Sequence, residues 1–227
     1  MDAANLSTTF FNWHVLREAW PMLLAGLGVT VALGAVSIVA GLISGMGLAL
    51  VRLYAVRPLK AVARLYIDVF RSLPLLVLLV LVYYALPFIG IRLSSFAAAA
   101  SALSLVSCAY SAEIFRAGIE AVPKGQFEAA AAIGLKWSHA MRDVVLPQAL
   151  RIVMPPLTGN CINVLKDTAL ASVVAMPELL KQATQAQALA ANPTPLIGAA
   201  VLYLALLLPL VRLVGFVEAR QHAAVRS

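Results

Sequence analysis

Charge is scarce in this chain. Only 12% of its 227 residues are Asp, Glu, Lys or Arg, against 62% hydrophobic residues and a mean hydropathy of +0.92. A soluble domain carries roughly a quarter charged residues, so a water-soluble globular protein is excluded and an integral membrane protein is indicated. Histidine is equally thin. His14, His139 and His222 are the only three, scattered over an N-terminal segment, a polar middle stretch and the tail, and cannot jointly bind a metal. The two cysteines, Cys108 and Cys161, sit inside apolar runs and read as small buried hydrophobes with no redox or metal role. No GxSxG, HExxH or GxxxxGK[ST] pattern occurs, which leaves no nucleophile elbow, no zinc-protease helix and no phosphate-cradling loop. No catalytic residue, metal or cofactor is therefore expected. If such a chain drove uphill transport with ATP, another polypeptide would have to bring the ATPase. The N-terminus also lacks a basic n-region, and the first apolar run is far longer than a signal-peptide core, so it reads as an uncleaved first span.

What the chain has instead is long apolar runs. The expected fold is an all-α integral membrane protein, a single transmembrane domain over residues 1–227, with five transmembrane helices at about residues 21–51, 65–88, 96–119, 149–176 and 195–217. Residues 1–20 are mixed and aromatic (Phe10, Phe11, Trp13, Trp20), which suits an interfacial segment. In the first run Gly34, Ser37, Gly41 and Gly45 share one face, and Gly41 with Gly45 forms a GxxxG pair. Such a face lets helix backbones approach closely, between subunits or within one. Ser101, Ser104, Cys108 and Ser111 make a similar stripe in the third run, suited to close packing or to a hydrated path. Asp68 with Arg71, and Glu113 with Arg116, are spaced i,i+3 for ion pairs near helix ends. Pro74 is expected to bend the second span, and Pro147 with Pro155-Pro156 to make the start of the fourth irregular.

Cation placement orients the chain. Arg52, Arg57, Lys60 and Arg64 form a basic loop, and of 17 Lys and Arg only Arg17, Arg92 and Lys181 fall on the opposite side, with Lys166 inside the membrane. The positive-inside rule then puts the N-terminus outside and the C-terminus, with Arg220, His222 and Arg226, in the cytoplasm. Residues 177–193, polar and rich in Gln and Ala, fall on the outer face; Pro177 suits a first helical position and Pro193 a stop.

Two features carry functional information. The first is residues 120–147, a polar insert too short to be a domain and placed in the cytoplasm. Pro123 suits a helix start, residues 126–133 are Ala-dense, Gly134 can end that helix, and Ser138 can cap a second one stopping before Pro147. A slim Ala-faced helix with Glu128 at one end fits a groove on a partner. The second is the face formed by Asn160, Asn163 and Asp167, with Lys166 beside it. Lys166 is fifteen residues beyond Arg151, about 22 Å along a helix. An ionisable pair at that depth must face protein or water. It marks a pathway or gate, or a Lys–Asp bridge holding helices in register.

Glu128-Ala129-Ala130, with Gly134 and then Leu146-Pro147, resembles the cytoplasmic loop of bacterial ABC importer permeases. Phe70-Arg71-Ser72-Leu73-Pro74-Leu75-Leu76 is similar to the FRGTPLL segment of the polar amino-acid permeases, with Ser72-Leu73 replacing Gly-Thr. Tyr110-Ser111-Ala112-Glu113 with Arg116, Gly125-Gln126, Pro147-Gln148 and Lys166-Asp167-Thr168-Ala169-Leu170 continue the likeness, the usual KDTSL reading KDTAL here. The resemblance covers roughly residues 65–180. It implies a type I importer permease subunit of the histidine, glutamine, arginine and opine group, in the bacterial inner membrane. Its implied partners are two ATPase subunits, a second permease, identical or homologous, an external solute-binding protein and a small polar amino acid. Glu128, Ala129, Ala130 and Gly134 would then engage the ATPase, and Lys166, Asp167 and Thr168 would shape the pathway or gate. Asn160 and Asn163 join them from the helical stripe alone. The rival readings are a secondary transporter or channel working without an ATPase, against which an odd span number and no visible repeat count, and a membrane scaffold, for which Lys166-Asp167 would be a costly feature.

Overall fold

The computed structural model describes residues 9–226, the side chains of 216–226 excepted; Asp2 and the side chains of Arg220, His222 and Arg226 lie outside the described residues. Every regular element among the described residues is helical. In chain order they are α1 (Trp13–Tyr54), α2 (Arg57–Ser72), α3 (Leu75–Val80), α4 (Ser95–Glu120), α5 (Lys124–Ala132), α6 (Trp137–His139), α7 (Leu146–Asp167), α8 (Leu179–Ala190) and α9 (Thr194–Arg226). α3 runs on through a π segment, Leu81–Ala85, into a 3₁₀ turn, Leu86–Ile89, which Gly90 ends at φ 88°. The segment Thr168–Val174 is also 3₁₀.

α1, α4 and the Thr194–Gly215 part of α9 are each long and apolar enough to cross a membrane, and Arg57–Ser72 with Leu75–Ile89 makes a fourth candidate only as a broken pair. α1 extends well past the apolar run on both sides, so Trp13 and Trp20 belong to the first helix rather than to a separate surface segment. The basic stretch after it is helical too. Only Ala55 and Val56 separate α1 from α2, and Pro58 sits in the first turn of α2, where its missing N–H leaves no bond unmade. The second apolar segment is divided rather than bent within one helix: the chain turns by 101° at Leu73-Pro74. Leu73 is held extended (φ −78°, ψ 130°), the conformation that a following proline imposes. Pro155 and Pro156 lie inside α7 without ending it. The irregularity expected there falls earlier, in the π segment Ala140–Val145, which runs straight into α7 with Pro147 as its second residue. Ser138 caps nothing, because α6 continues into that segment and its N-cap is Lys136.

The chain forms two compact units. One gathers the chain up to Ile38, Pro74–Ser104 and Ile162–Val211; its core joins Ala19 and Leu23 of α1 to Leu179, Ala183 and Ala186 of α8 and Ala199 of α9. Gly34 lies against Leu165 and Thr168, and Gly26 against Leu179 and Gln182. The other gathers Val39–Leu73, Leu105–Cys161 and the chain from Arg212. There Ala49, Ile67, Ala112, Phe115, Val153 and Leu157 form one core. Gly41 meets Ser107, and Gly45 meets Ser111, Cys108 and Ala112, so the GxxxG pair is spent on packing within the subunit. Part of the serine stripe of α4 serves the same contact.

Candidate coupling surface and polar helix face

α5 is a nine-residue helix with no side-chain cap at its start. Isolated helices this short are unstable in water, and this one is held from beneath. Phe127 packs on a small core of Ile119, Val122, Met141, Val145 and Ala149, with Leu53 and Leu146 at its edge. Ala130 is buried, and the Gln148 amide donates to Gln126 Oε1 at 3.2 Å. Gly134 closes the helix at φ 77°: its N–H donates to the Ala131 carbonyl (3.0 Å) and that of Leu135 to the Ala130 carbonyl (3.0 Å). This is a hydrogen-bonded helix stop that wants glycine at the left-handed position. What is left outward is Glu128, Ala129, Ala131 and Ala132, then Ile133 (77% exposed) and Trp137 (56%), whose ring meets Tyr54 edge-on at 5.1 Å. The structure therefore brings Glu128, Ala129, Ala130 and Gly134 onto one small element, with Ala130 on its buried side. What α5 presents outward is thus a small, largely apolar rim over a packed base.

Asn160, Asn163, Lys166 and Asp167 all lie on α7, and they differ in environment. Asn160 is half-buried and donates to Ser111 Oγ at 3.2 Å. Asn163 and Lys166 are exposed, and Asp167 is half-buried. No ion pair closes between Lys166 and Asp167 among the described residues. Thr168 is fully buried, donates to the Leu165 carbonyl at 2.7 Å and packs against Gly34. It starts the 3₁₀ segment and is turned away from the polar stripe.

Residues 37–222 match the family described as binding-protein-dependent transport system inner membrane component. The chain belongs to that family. Among its relatives, the arginine transport system permease protein ArtQ of Bacillus subtilis is 40% identical over 190 residues, 83% of this chain and 87% of that protein. The L-cystine transport system permease protein TcyB of the same organism is 39% identical over 178 residues, 78% of this chain and 76% of that protein. A crystal structure of an amino acid ABC transporter with histidines contains a chain 36% identical to this one, at a TM-score of 0.86 and covering 92% of this chain and 98% of that one. This inner-membrane component is thus an all-helical, multi-pass ABC permease, as expected from the residues.

Two sites in the permease component escape a reading of the sequence. Glu113 was legible only as a partner of Arg116. In the structure Arg116 forks onto it through Nη2 (2.5 Å) and Nε (3.2 Å) and also reaches Glu120, while Arg52 of α1 bonds the same carboxylate. Arg52 is sixty-one positions away, and no local spacing announces it. The second is Glu178, fully buried. Its Oε1 accepts the Lys181 N–H (2.6 Å), its Oε2 accepts the Leu180 N–H (2.8 Å) and the Tyr203 hydroxyl (2.9 Å), and the Leu179 N–H donates to Thr30 Oγ1 (3.1 Å). Burial pushes this carboxyl above its ordinary range, and the three donors offset part of that. The one available signal was an acid just before a helical run, the position of an N-cap. Pro177 had been the expected start and precedes that cap.

Proposed function

We propose that this chain is the permease subunit of an ATP-driven, binding-protein-dependent importer for polar amino acids, moving its ligand by alternating access. The observation that carries the reading is α5, a short helix fixed by Phe127 and Gly134 whose Ala129, Ala131 and Glu128 surface is left uncovered. Its role is to dock on a separate ATPase subunit, two of which serve two permeases, identical or homologous, together with an extracytoplasmic solute-binding protein. The relatives named for arginine and cystine support a polar amino acid as cargo. The chain crosses the inner membrane five times. α7, at 22 residues, supplies the crossing that its Arg151 and Lys166 disguise by composition. The N-terminus is outside and the C-terminus cytoplasmic. Asn160, Asn163, Lys166 and Asp167 line the pathway or its gate, and Thr168 holds the end of that segment against α1.

Co-purification with the cognate ATPase, followed by ATP-dependent uptake in proteoliposomes supplied with the binding protein, tests this. The wild type retains the ATPase and Glu128→Arg loses it; full binding and transport by Glu128→Arg would sink the coupling role. Uptake by the chain without any ATPase would favour a secondary transporter. Asp167→Asn leaves assembly intact and impairs uptake, and unchanged kinetics would reduce Asp167 to a structural residue.

A further inference from the structure

Helix α2 carries surface that neither the coupling helix nor the α7 stripe uses. Its charged residues, Arg57, Lys60, Arg64, Asp68 and Arg71, recur every third or fourth position. At about 100° per residue they fall within an arc of roughly 80°. On the opposite side Leu59, Val62, Leu65 and Val69 are exposed by 53%, 64%, 64% and 40%. A third flank is held by protein: Ala63 and Ile67 are buried, and the Tyr66 hydroxyl donates to the Leu105 carbonyl at 3.0 Å. The fold thus grips α2 along one side and leaves a charged edge and an apolar edge free.

The cations are only partly engaged. Lys60 donates to the Leu53 carbonyl at 2.6 Å, and the Arg71 guanidinium lies 5.4 Å from the Tyr110 ring centre. Among the described residues no acid pairs with Arg57 or Arg64. Sixteen residues reach about 24 Å, with charge from one end to the other, so α2 is too short and too polar to cross a bilayer alone. Its occupant has to satisfy free guanidinium groups on one edge and four large aliphatic side chains on the other. A phospholipid of negative headgroup does both.

We propose that α2 lies in the headgroup plane of the membrane, with Leu59, Val62, Leu65 and Val69 among the acyl chains and Arg57 and Arg64 on the phosphates of anionic phospholipid. Opposed apolar and cationic edges are the build of an interfacial helix, and basic residues at such a surface gain from anionic lipid. The placement on the cytoplasmic leaflet rests on the membrane orientation given above; the lipid contact itself does not.

The full chain reconstituted in vesicles mixing phosphatidylcholine with phosphatidylglycerol provides the test, read by electron spin resonance of spin-labelled forms of each lipid. Wild type favours phosphatidylglycerol. Arg57→Gln with Arg64→Gln lowers that preference about fivefold or more, each basic residue at an anionic surface contributing a factor of roughly five, while Arg92→Gln leaves it in place. An unchanged preference in the double variant overturns the proposal. A second measurement covers the case in which that variant misfolds. With both native cysteines replaced, a nitroxide on Leu65→Cys meets oxygen dissolved in the bilayer and one on Asp68→Cys meets an aqueous nickel chelate. If the Leu65→Cys label is shielded from oxygen, a second copy of the chain or another protein covers the stripe and the proposal falls. Neither readout needs transport, so lost uptake with intact lipid preference counts against the importer reading alone.

Discussion

Two short Ala-rich helices of this permease put the same kind of sequence to opposite uses. α5 reads KGQFEAAAA and α8 reads LLKQATQAQALA. In α8 two alanines face inward: Ala183 and Ala186 are buried against Leu23, Gly26 opens the space that lets the α8 backbone in, and of its alanines only Ala188 and Ala190 at the far end are exposed. Its start is pinned by Glu178, Tyr203 and Thr30. In α5 only Ala130 is buried, no side chain caps the start, and Ala129, Ala131 and Ala132 are left uncovered. Alanine is the best helix former and the least bulky side chain that is not glycine. It therefore serves equally for a helix drawn tightly into a subunit and for one kept slim for another chain to grip.

If that contrast is right, damage to α8 costs stability and damage to α5 costs coupling. Glu178→Ala has the largest effect. It strands the Leu180 and Lys181 N–H groups, at about 1–3 kcal/mol for each buried group left unpaired, removes one partner of the Tyr203 hydroxyl, and should lower the thermal midpoint in detergent by several degrees; an unchanged midpoint refutes the anchor. Gly26→Val comes next. Even its Cβ would stand 2.9 Å from Leu179 Cα and 2.8 Å from Gln182 Cγ, and overpacking of that kind costs about 1–3 kcal/mol, so a wild-type melting curve would show that α8 is not packed as described.

The acid at 178 also predicts a pH effect. Its folded-state pKa is raised, mainly by burial, so the folded chain holds this proton more tightly than the unfolded one. Stability is then greatest below the ordinary carboxylate range and declines as pH rises through that range to the raised value. Glu178→Gln should flatten this part of the melting-temperature profile, and a profile of wild-type slope in that variant would remove Glu178 as its source.

The α5 changes are smaller in stability and larger in function. Gly134→Ala forces an L side chain to φ 77°, a cost of about 1–2 kcal/mol, and should loosen ATPase retention while leaving the rest of the fold intact. Glu128→Arg, at an exposed site, should shift stability by less than about 0.5 kcal/mol yet abolish ATPase retention. A large loss of stability from Glu128→Arg would erase the distinction between the two helices.

Much of this was legible in the residues. Gly134 announced the end of α5 because a left-handed stop needs glycine. Pro74 announced a bend, which the structure carries to a full break because proline removes a donor and forces Leu73 extended. The Glu113–Arg116 pair followed from helical spacing. Other readings failed for equally physical reasons. The basic run 52–64 looked like a loop because its charge hid a helical period shared with Leu59, Val62 and Leu65. Pro155-Pro156 looked like a break, but α7 continues through both. For Lys166 and Asp167 the residues left a gate and a bridge both open, because neighbours in sequence point a hundred degrees apart on a helix and only the fold sets their surroundings, Lys166 exposed and Asp167 half-buried.

The sequence by itself determined the medium, the helical class and the family, because apolar run lengths, charge bias and short motifs are properties of contiguous residues. Only the tertiary structure decided which alanine helix is buried and which is presented, that Gly41 and Gly45 are spent within the subunit, and that Arg52 shares Glu113 with Arg116. Those outcomes depend on side chains tens of residues apart meeting in space, and local pattern carries no record of such meetings.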